Sequence, residues 1–138
     1  MAEASSSSSL KLVVVTPERR VLETQCDWVS IPAYSGYVTI LPEHTPLISL
    51  SAIDELVYQN GTKTAKLALA GGVFEIFENV ITVLADSAEA PEEIDAEAAK
   101  KLLNEGQAAM EGAAGEDVAT ARRQIQHAET RLKVARES

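Results

Sequence analysis

Apolar positions along the first two thirds of the chain come in short runs that alternate or stay continuously aliphatic, and they predict strands. Leu10 to Val15 is a valine-rich run closed by Thr16-Pro17, and it reads as a first strand. Arg20 to Ile31 reads as a second, with Val21, Val29 and Ile31 apolar, Glu23 and Asp27 polar, and an interruption around Gln25-Cys26. Val38–Leu41, Leu47–Leu50, Leu56–Tyr58, Thr64–Ala70, Val73–Phe77 and Val80–Ala85 follow at close spacing. Asn60-Gly61 between two of them is a strong hairpin signal, Gly71-Gly72 marks a tight break, and Glu78-Asn79 another turn. Pro42-Glu43-His44-Thr45-Pro46 is a rigid loop, because its two prolines fix the local backbone.

From Asp95 the period changes. Ala99, Leu102, Gly106, Ala109 and Ala113 recur at alternating steps of three and four, as do Val118, Ala121, Ile125, Ala128, Leu132 and Ala135. Each set is one face of a helix, and Gly112-Ala113-Ala114-Gly115 joins them, so the two helices should pair as an antiparallel hairpin. Asp95 is a plausible N-cap, with Glu92 and Glu93 ahead of it where the helix dipole favours negative charge. Strands first and helices afterwards give an α+β fold: an N-terminal antiparallel β-sandwich followed by a C-terminal antiparallel helical hairpin. The expected division is a disordered serine-rich tail at 1–9, a β-sandwich at 10–87, a linker at 88–94 and a two-helix unit at 95–138.

The seam between the predicted helices is made mostly of small residues. With only Leu102, Val118, Ile125 and Leu132 as sizeable members, docking one helix on the other yields ~5–8 kcal/mol before entropy. That is close to the ~5.5 kcal/mol that carries a two-state equilibrium from one side to the other. A partner could therefore open the hairpin; a purely structural hairpin is the plainer alternative.

Charge sharpens this picture. The net charge is −9, which argues against nucleic acid and against an anionic lipid surface. Residues 1–94 hold five Lys/Arg against thirteen Asp/Glu, whereas residues 121–138 hold Arg122, Arg123, Arg131, Lys133 and Arg136 against Glu129 and Glu137. A basic helix on an acidic protein points to an acidic partner. The apolar fraction of 46% with only 4% aromatics means an aliphatic core. No basic flank precedes an apolar run of signal length and no stretch approaches a membrane span, so a soluble protein working where it is made is expected.

Catalytic chemistry finds little support. His44 and His127 are the two histidines, Cys26 the single cysteine, and they lie in different parts of the chain. A nucleophile pair or a metal site needs such groups clustered. Gly71-Gly72 lacks the lysine and following helix of a phosphate loop, and Asn60-Gly61-Thr62 reads as a turn rather than a glycosylation site. No catalytic, cofactor or metal residue is assigned. Tyr37 and His44, on proline- and glycine-bounded loops, are better placed to touch partners.

Val14-Val15-Thr16-Pro17-Glu18-Arg19, Ile40-Leu41-Pro42-Glu43-His44-Thr45-Pro46, Leu69-Ala70-Gly71-Gly72, Val80-Ile81-Thr82-Val83-Leu84-Ala85 and Ile94-Asp95 occur in one order. In that order the chain resembles the epsilon subunits of bacterial and plastid F-type ATP synthases over nearly all of residues 10–136. The resemblance implies a ten-stranded sandwich and a helical hairpin in a non-catalytic central-stalk rotor subunit, coupling the gamma subunit to the c-ring. It places Tyr37, Glu43 and His44 at the gamma-subunit and c-ring interface. It implies hairpin helices that fold against the sandwich or extend into the catalytic head, opposing ATP hydrolysis, with Arg122, Arg123, Arg131 and Arg136 meeting the beta and alpha subunits. The implied location is peripheral, on the cytoplasmic face of the bacterial membrane or the stromal side of the thylakoid, with membrane contact only through the complex.

The alternative reading is a nucleotide-sensing module that binds ATP between the helices, as some relatives do through an Ile/Leu-Asp-x-x-Arg motif and two further arginines. Ile94, Asp95 and Arg131 match that pattern, but Ala98 and His127 stand where arginines belong. Two lost charge-assisted phosphate contacts, each ~1.5–3 kcal/mol, leave a vestige of the motif and no useful ATP affinity. Thr39 and Asp54 also replace glycines usual in the family.

Overall fold

The computed structural model describes residues 9–136, so most of the expected serine-rich tail lies outside the described residues. Eight strands come first: β1 (Leu10–Val15), β2 (Arg20–Cys26), β3 (Trp28–Ala33), β4 (Gly36–Ile40), β5 (Leu47–Asn60), β6 (Lys63–Phe77), β7 (Val80–Ala85) and β8 (Ala88–Glu89). One turn of 3-10 helix at Pro91–Glu93 leads to α1 (Ala96–Glu111) and α2 (Glu116–Arg136). The stretch 88–94 thus holds a short strand and a helical turn.

The strands form one continuous path, β2-β1-β7-β6-β5-β3-β4, with β8 paired to β6. Every pairing is antiparallel except β1 with β7, which is parallel. Two strands are far longer than the sequence suggests. Leu47–Leu50 and Leu56–Tyr58 are parts of the single 14-residue β5, and Thr64–Ala70 and Val73–Phe77 are parts of the 15-residue β6. Their shared ladder lapses once, between Ser51↔Gly72 and Ile53↔Ala70. At the same place β6 changes neighbour: Gly72–Phe77 pair with β7, whereas Ala68 and Leu69 pair with β8. A strand that bends and changes partner serves two layers at once. This is why eight strands appear where the resemblance implies ten; counting β5 and β6 as two each restores the number.

Gly71 and Gly72 make that bend possible, with φ of 106° and 132°. A side chain at Gly72 is excluded, since its Cβ would lie 2.2 Å from the Leu84 carbonyl oxygen. The two turns flagged by the sequence form as hairpins. Gly61-Thr62 is the two-residue loop between β5 and β6, one position later than Asn60-Gly61 suggests, with Gly61 at φ 67°. Glu78 and Asn79 both have positive φ, matching the backbone twist of the strands they join.

The core is aliphatic, as the composition demands. Leu10, Leu12 and Val14 of β1, Phe74 and Ile76 of β6, and Ile81 and Val83 of β7 alternate inward and meet Ile31, Ile40 and Leu56 in one cluster. Cys26 is buried in it, and burial, aided by the neighbouring Asp27, pushes its thiol pKa up to about 11, so it packs as a small hydrophobe.

Asp95 caps α1 as expected, its Oδ1 accepting from the Ala98 amide at 3.1 Å. The helices meet along the small-residue stripe: Ala99, Gly106, Ala121 and Ala128 are buried, while Leu102, Val118, Ile125 and Leu132 are half-buried and Ala109 is exposed. Gly106 sets the separation, because a Cβ there would sit 2.9 Å from Ile125 Cγ1. Gln124 Nε2 adds a hydrogen bond across the seam to the Leu102 carbonyl at 3.1 Å. Among the described residues α2, rather than α1, carries the main contact with the sandwich, against β5, β6 and the 3-10 turn.

Candidate functional site

Two surfaces carry the residues singled out by the sequence. The first is the outer face of the sheet at β5, β6 and β7. Because side chains alternate along a strand, the residues between the core positions face outward. Register then places Leu50, Val73 and Leu84 side by side, continued by Val15 of β1. Phe77 lies opposite Val80 on the same face, and Ile48 one row from Leu50. Ile48 is 70% exposed, Leu50 59%, Phe77 53% and Leu84 52%. The row between them, Ile48–Glu75–Thr82, is mixed, and large apolar side chains left open at this density are a feature of interaction surfaces.

The 42–46 loop borders this face and is pinned to it. Glu43 adopts φ 69°, its amide donates to Asn79 Oδ1 at 2.7 Å, and Asn79 Nδ2 returns a bond to Glu43 Oε2 at 2.9 Å. Asn79 belongs to the turn between Phe77 and Val80, so this reciprocal pair fixes Glu43 and half-buried His44 beside the apolar rows. The His44 ring nitrogen Nδ1 lies 2.7 Å from the Thr45 carbonyl oxygen. Tyr37 is not part of this group. It sits at the Gly36 end of β4, half exposed, and its phenol pKa is raised by partial burial and then by the Asp54 carboxylate.

The second surface joins α2 to the sandwich, and it is polar. Arg131 pairs side-on with Glu89 of β8, Nε 2.8 Å from Oε1 and Nη2 donating to Oε2 at 3.1 Å, with 18% and 22% of the two side chains exposed. Lys133 Nζ lies 3.5 Å from Asp54 Oδ1 and 3.6 Å from Glu55 Oε2, and Lys66 reaches the other Glu55 oxygen at 3.7 Å. Gln126 Nε2 donates to the Ile53 carbonyl at 3.1 Å, next to the place where the β5–β6 ladder lapses. Buried Val134 and Thr130 lie on this side, the Thr130 hydroxyl donating to the Gln126 carbonyl at 2.8 Å. His127 is half-buried here, and burial lowers its pKa, assisted by Arg131 and opposed by Glu89.

The predicted basic residues therefore divide. Arg122, Arg123 and Arg136 are exposed, while Arg131 is held by Glu89. The nucleotide vestige is likewise committed elsewhere: Asp95 is a helix cap, Ile94 ends the 3-10 turn, and Arg131 already has a carboxylate. Sequence reasoning did not find Glu89, Glu55 or Gln126. The one available signal is Asp54, which replaces a glycine usual in the family and in the structure lies within β5.

Comparison with known proteins agrees with this architecture. Residues 9–91 match the family model described as ATP synthase, Delta/Epsilon chain, beta-sandwich domain. The ATP synthase epsilon chain of Solibacter usitatus is 41% identical over 128 residues, covering 92% of this chain and 96% of the relative. That of Nitratidesulfovibrio vulgaris strain Miyazaki F is 46% identical over 93 residues, covering 67% and 69%. A chain of the Euglena gracilis mitochondrial ATP synthase OSCP/F1/c-ring assembly shares the fold, with TM-score 0.80 at 20% identity over 93% of this chain and 81% of that one. With an aliphatic sandwich, a pinned Leu-Pro-Glu-His-Thr-Pro loop and a C-terminal helix pair in one order, the chain belongs to the ATP synthase delta/epsilon-chain family, as one of its epsilon chains.

Proposed function

We propose that this chain is a non-catalytic central-stalk subunit that links a gamma-type subunit to the membrane ring and restrains ATP hydrolysis through its helices. The observation that carries this reading is the exposed apolar face of β5, β6 and β7, bordered by Glu43 and His44. On a chain of net charge −9 such a face is out of character unless a partner protects it. We assign it to the gamma subunit, and the separate Tyr37 turn to the c-ring. The helical pair, attached through a polar contact, supplies the movable part, and Arg122, Arg123 and Arg136 are the side chains it already presents for the alpha and beta subunits. None of the helices among the described residues is long and apolar enough to cross a membrane, so membrane association runs through the complex at its cytoplasmic or stromal side.

Leu50→Asp/Leu84→Asp tests the first half. Both side chains are more than half exposed, so the variant should fold and yet fail to co-purify with a gamma subunit in a reconstituted complex. Normal co-purification would contradict the assignment. Removing residues 95–138 tests the second half: assembly should persist while ATP hydrolysis by the reconstituted head rises. Unchanged hydrolysis would reduce the helices to a structural role.

A further inference from the structure

A cleft of about 750 Å³ lies between β2, the first half of β6 and the 3-10 turn. Val21, Leu22, Tyr58 and Ala90 line it and also pack on the core, so it opens into the interior of the sandwich. Its walls are runs of consecutive residues: Val21-Leu22, Thr64 to Leu67, and Ala90 to Glu93. Side chains alternate along a strand, so a wall made of sequence neighbours is a backbone edge and not a side-chain face. Register accounts for the β6 wall. The Ala70 amide donates to the Ser87 carbonyl and β8 then pairs Glu89 with Ala68, so the even-numbered residues here turn N–H and C=O away from β5. Thr64 belongs to that set, since its register partner Gln59 lies on β5, on the other side. The line of β8 would continue opposite Thr64, but Pro91 has no amide hydrogen and opens the 3-10 turn. On the β2 wall, the shift between Val14 and Val15 leaves Val21 without a ladder partner on β1.

Charge at the cleft is one-sided. Arg19 closes one end, its Nη2 2.6 Å from Glu93 Oε2, and the other Glu93 oxygen accepts from the Ala90 amide at 2.9 Å. Lys66 turns to Glu55, 3.7 Å away. Glu92 stays exposed at the rim, and it adds to burial and Cys26 in raising the Tyr58 phenol pKa. We infer that the cleft receives an extended segment of a partner protein, which continues the line of β8 along β6 and sets a lysine or arginine beside Glu92. Strand addition of this kind takes its affinity from main-chain hydrogen bonds and its selectivity from alternate side chains. A helix has its backbone groups already paired and offers none to Thr64. Inward side chains of the segment cover Leu22, Tyr58 and Leu67. The pairing edge is β6 and not β2, because β2 is bulged at Val21 and carries exposed Arg20 and Glu23, which discourage strand addition. The cleft shares no residue with the apolar face of β5, β6 and β7, and its use requires no movement of the helices.

The probe is the fluorescein-labelled peptide Thr-Val-Lys-Val-Thr, titrated into the full chain at physiological salt and followed by anisotropy. Binding should saturate, and amide shifts in its nuclear magnetic resonance spectrum should move at Thr64 to Leu67 and Ala90 but not at Leu50 or Leu84. In an antiparallel pair the lysine opposite Thr64 turns its own amide to β6. Methylating that one nitrogen should weaken binding by about tenfold, with side chains and charge unchanged. Glutamate in place of the lysine should weaken it roughly two- to fivefold, and Glu92→Gln should erase that preference. Thr64→Pro deletes a donor on the cleft side while sparing the β5 ladder, so it should fold, with Trp28 fluorescence unchanged, and bind about fivefold more weakly. Should that variant misfold, the methylated probe on the unaltered chain still decides. Binding that does not saturate, shifts elsewhere on the chain, or equal affinity for the methylated probe would overturn the inference. None of these readouts involves a gamma subunit or the catalytic head, so a failure here is separable from a failure of the proposed function.

Discussion

The sandwich and the helical pair are built on opposite rules. In the sandwich, Leu10, Leu12, Ile31, Phe74, Ile76 and Ile81 are wholly buried against one another, and β1 to β7 share one hydrogen-bonded path. In the helices the buried seam positions are Ala99, Gly106, Ala121 and Ala128, and the larger residues of the seam stay half-open. Burial of large apolar groups contributes ~1.5–3 kcal/mol each, and burial of alanine methyls far less. The first region is consequently a fixed scaffold. The second is held by shape and by a few ion pairs, which is the construction that the proposed release of the helices requires. Its contact with the scaffold repeats the theme, since Arg131–Glu89 and Lys133–Asp54 replace the dry packing seen inside the sandwich.

Perturbing each region should expose the difference. The largest effect belongs to the sandwich: Phe74→Ala leaves a hole at the centre of the core and should destabilise the domain by ~3–5 kcal/mol, read from urea unfolding followed by Trp28 fluorescence. Gly72→Ala should lose ~3 kcal/mol or more by the same assay, because its φ of 132° and the Leu84 carbonyl leave no place for a methyl group. Gly106→Leu should act on the helices alone. It forces them apart at Ile125 at a loss of ~1–3 kcal/mol, so helical circular dichroism should melt earlier while the Trp28 transition stays put.

Acid should loosen the docked helix. His127 has its pKa lowered by burial and by Arg131, against the opposing field of Glu89, so the docked state favours the neutral ring. That contribution is complete above the ordinary histidine pKa of about 6.5 and is lost as pH falls through the lowered value. His127→Gln should remove this part of the pH dependence of docking, as followed by the distance between spin labels on cysteines placed at exposed Thr62 and Ala108. The smallest expected signal is for nucleotide: with Arg131 on Glu89 and alanine at 98, calorimetry should detect no ATP binding tighter than millimolar.

How much of this was legible beforehand depended on range. The helix seam, the Asp95 cap and the turn at Glu78-Asn79 are local, and their residues announced them. The division of β5 into two strands failed because Ser51 to Glu55 looks like a polar break; in the structure that stretch stays extended, with Ile53 offering its carbonyl to Gln126. The parallel β1–β7 pair joins segments about 70 residues apart, and hydrophobic period says nothing about partners at that distance. Arg131 is one of several cations in the sequence, and its carboxylate lies 42 residues away on a two-residue strand. The clamp between Glu43 and Asn79, which ties the 42–46 loop to the turn between β6 and β7, joins residues 36 apart, and no local pattern reaches that far.

Native-state hydrogen exchange across the whole chain is the most direct test of a firm sandwich carrying a loosely held helix pair. Amides of Ala96–Glu111 and Glu116–Arg136 should exchange through an opening much less costly than global unfolding, and faster as salt rises, while the interior amides of β1, β6 and β7 keep full protection. Helix and sandwich amides exchanging together, with one opening free energy indifferent to salt, would contradict it.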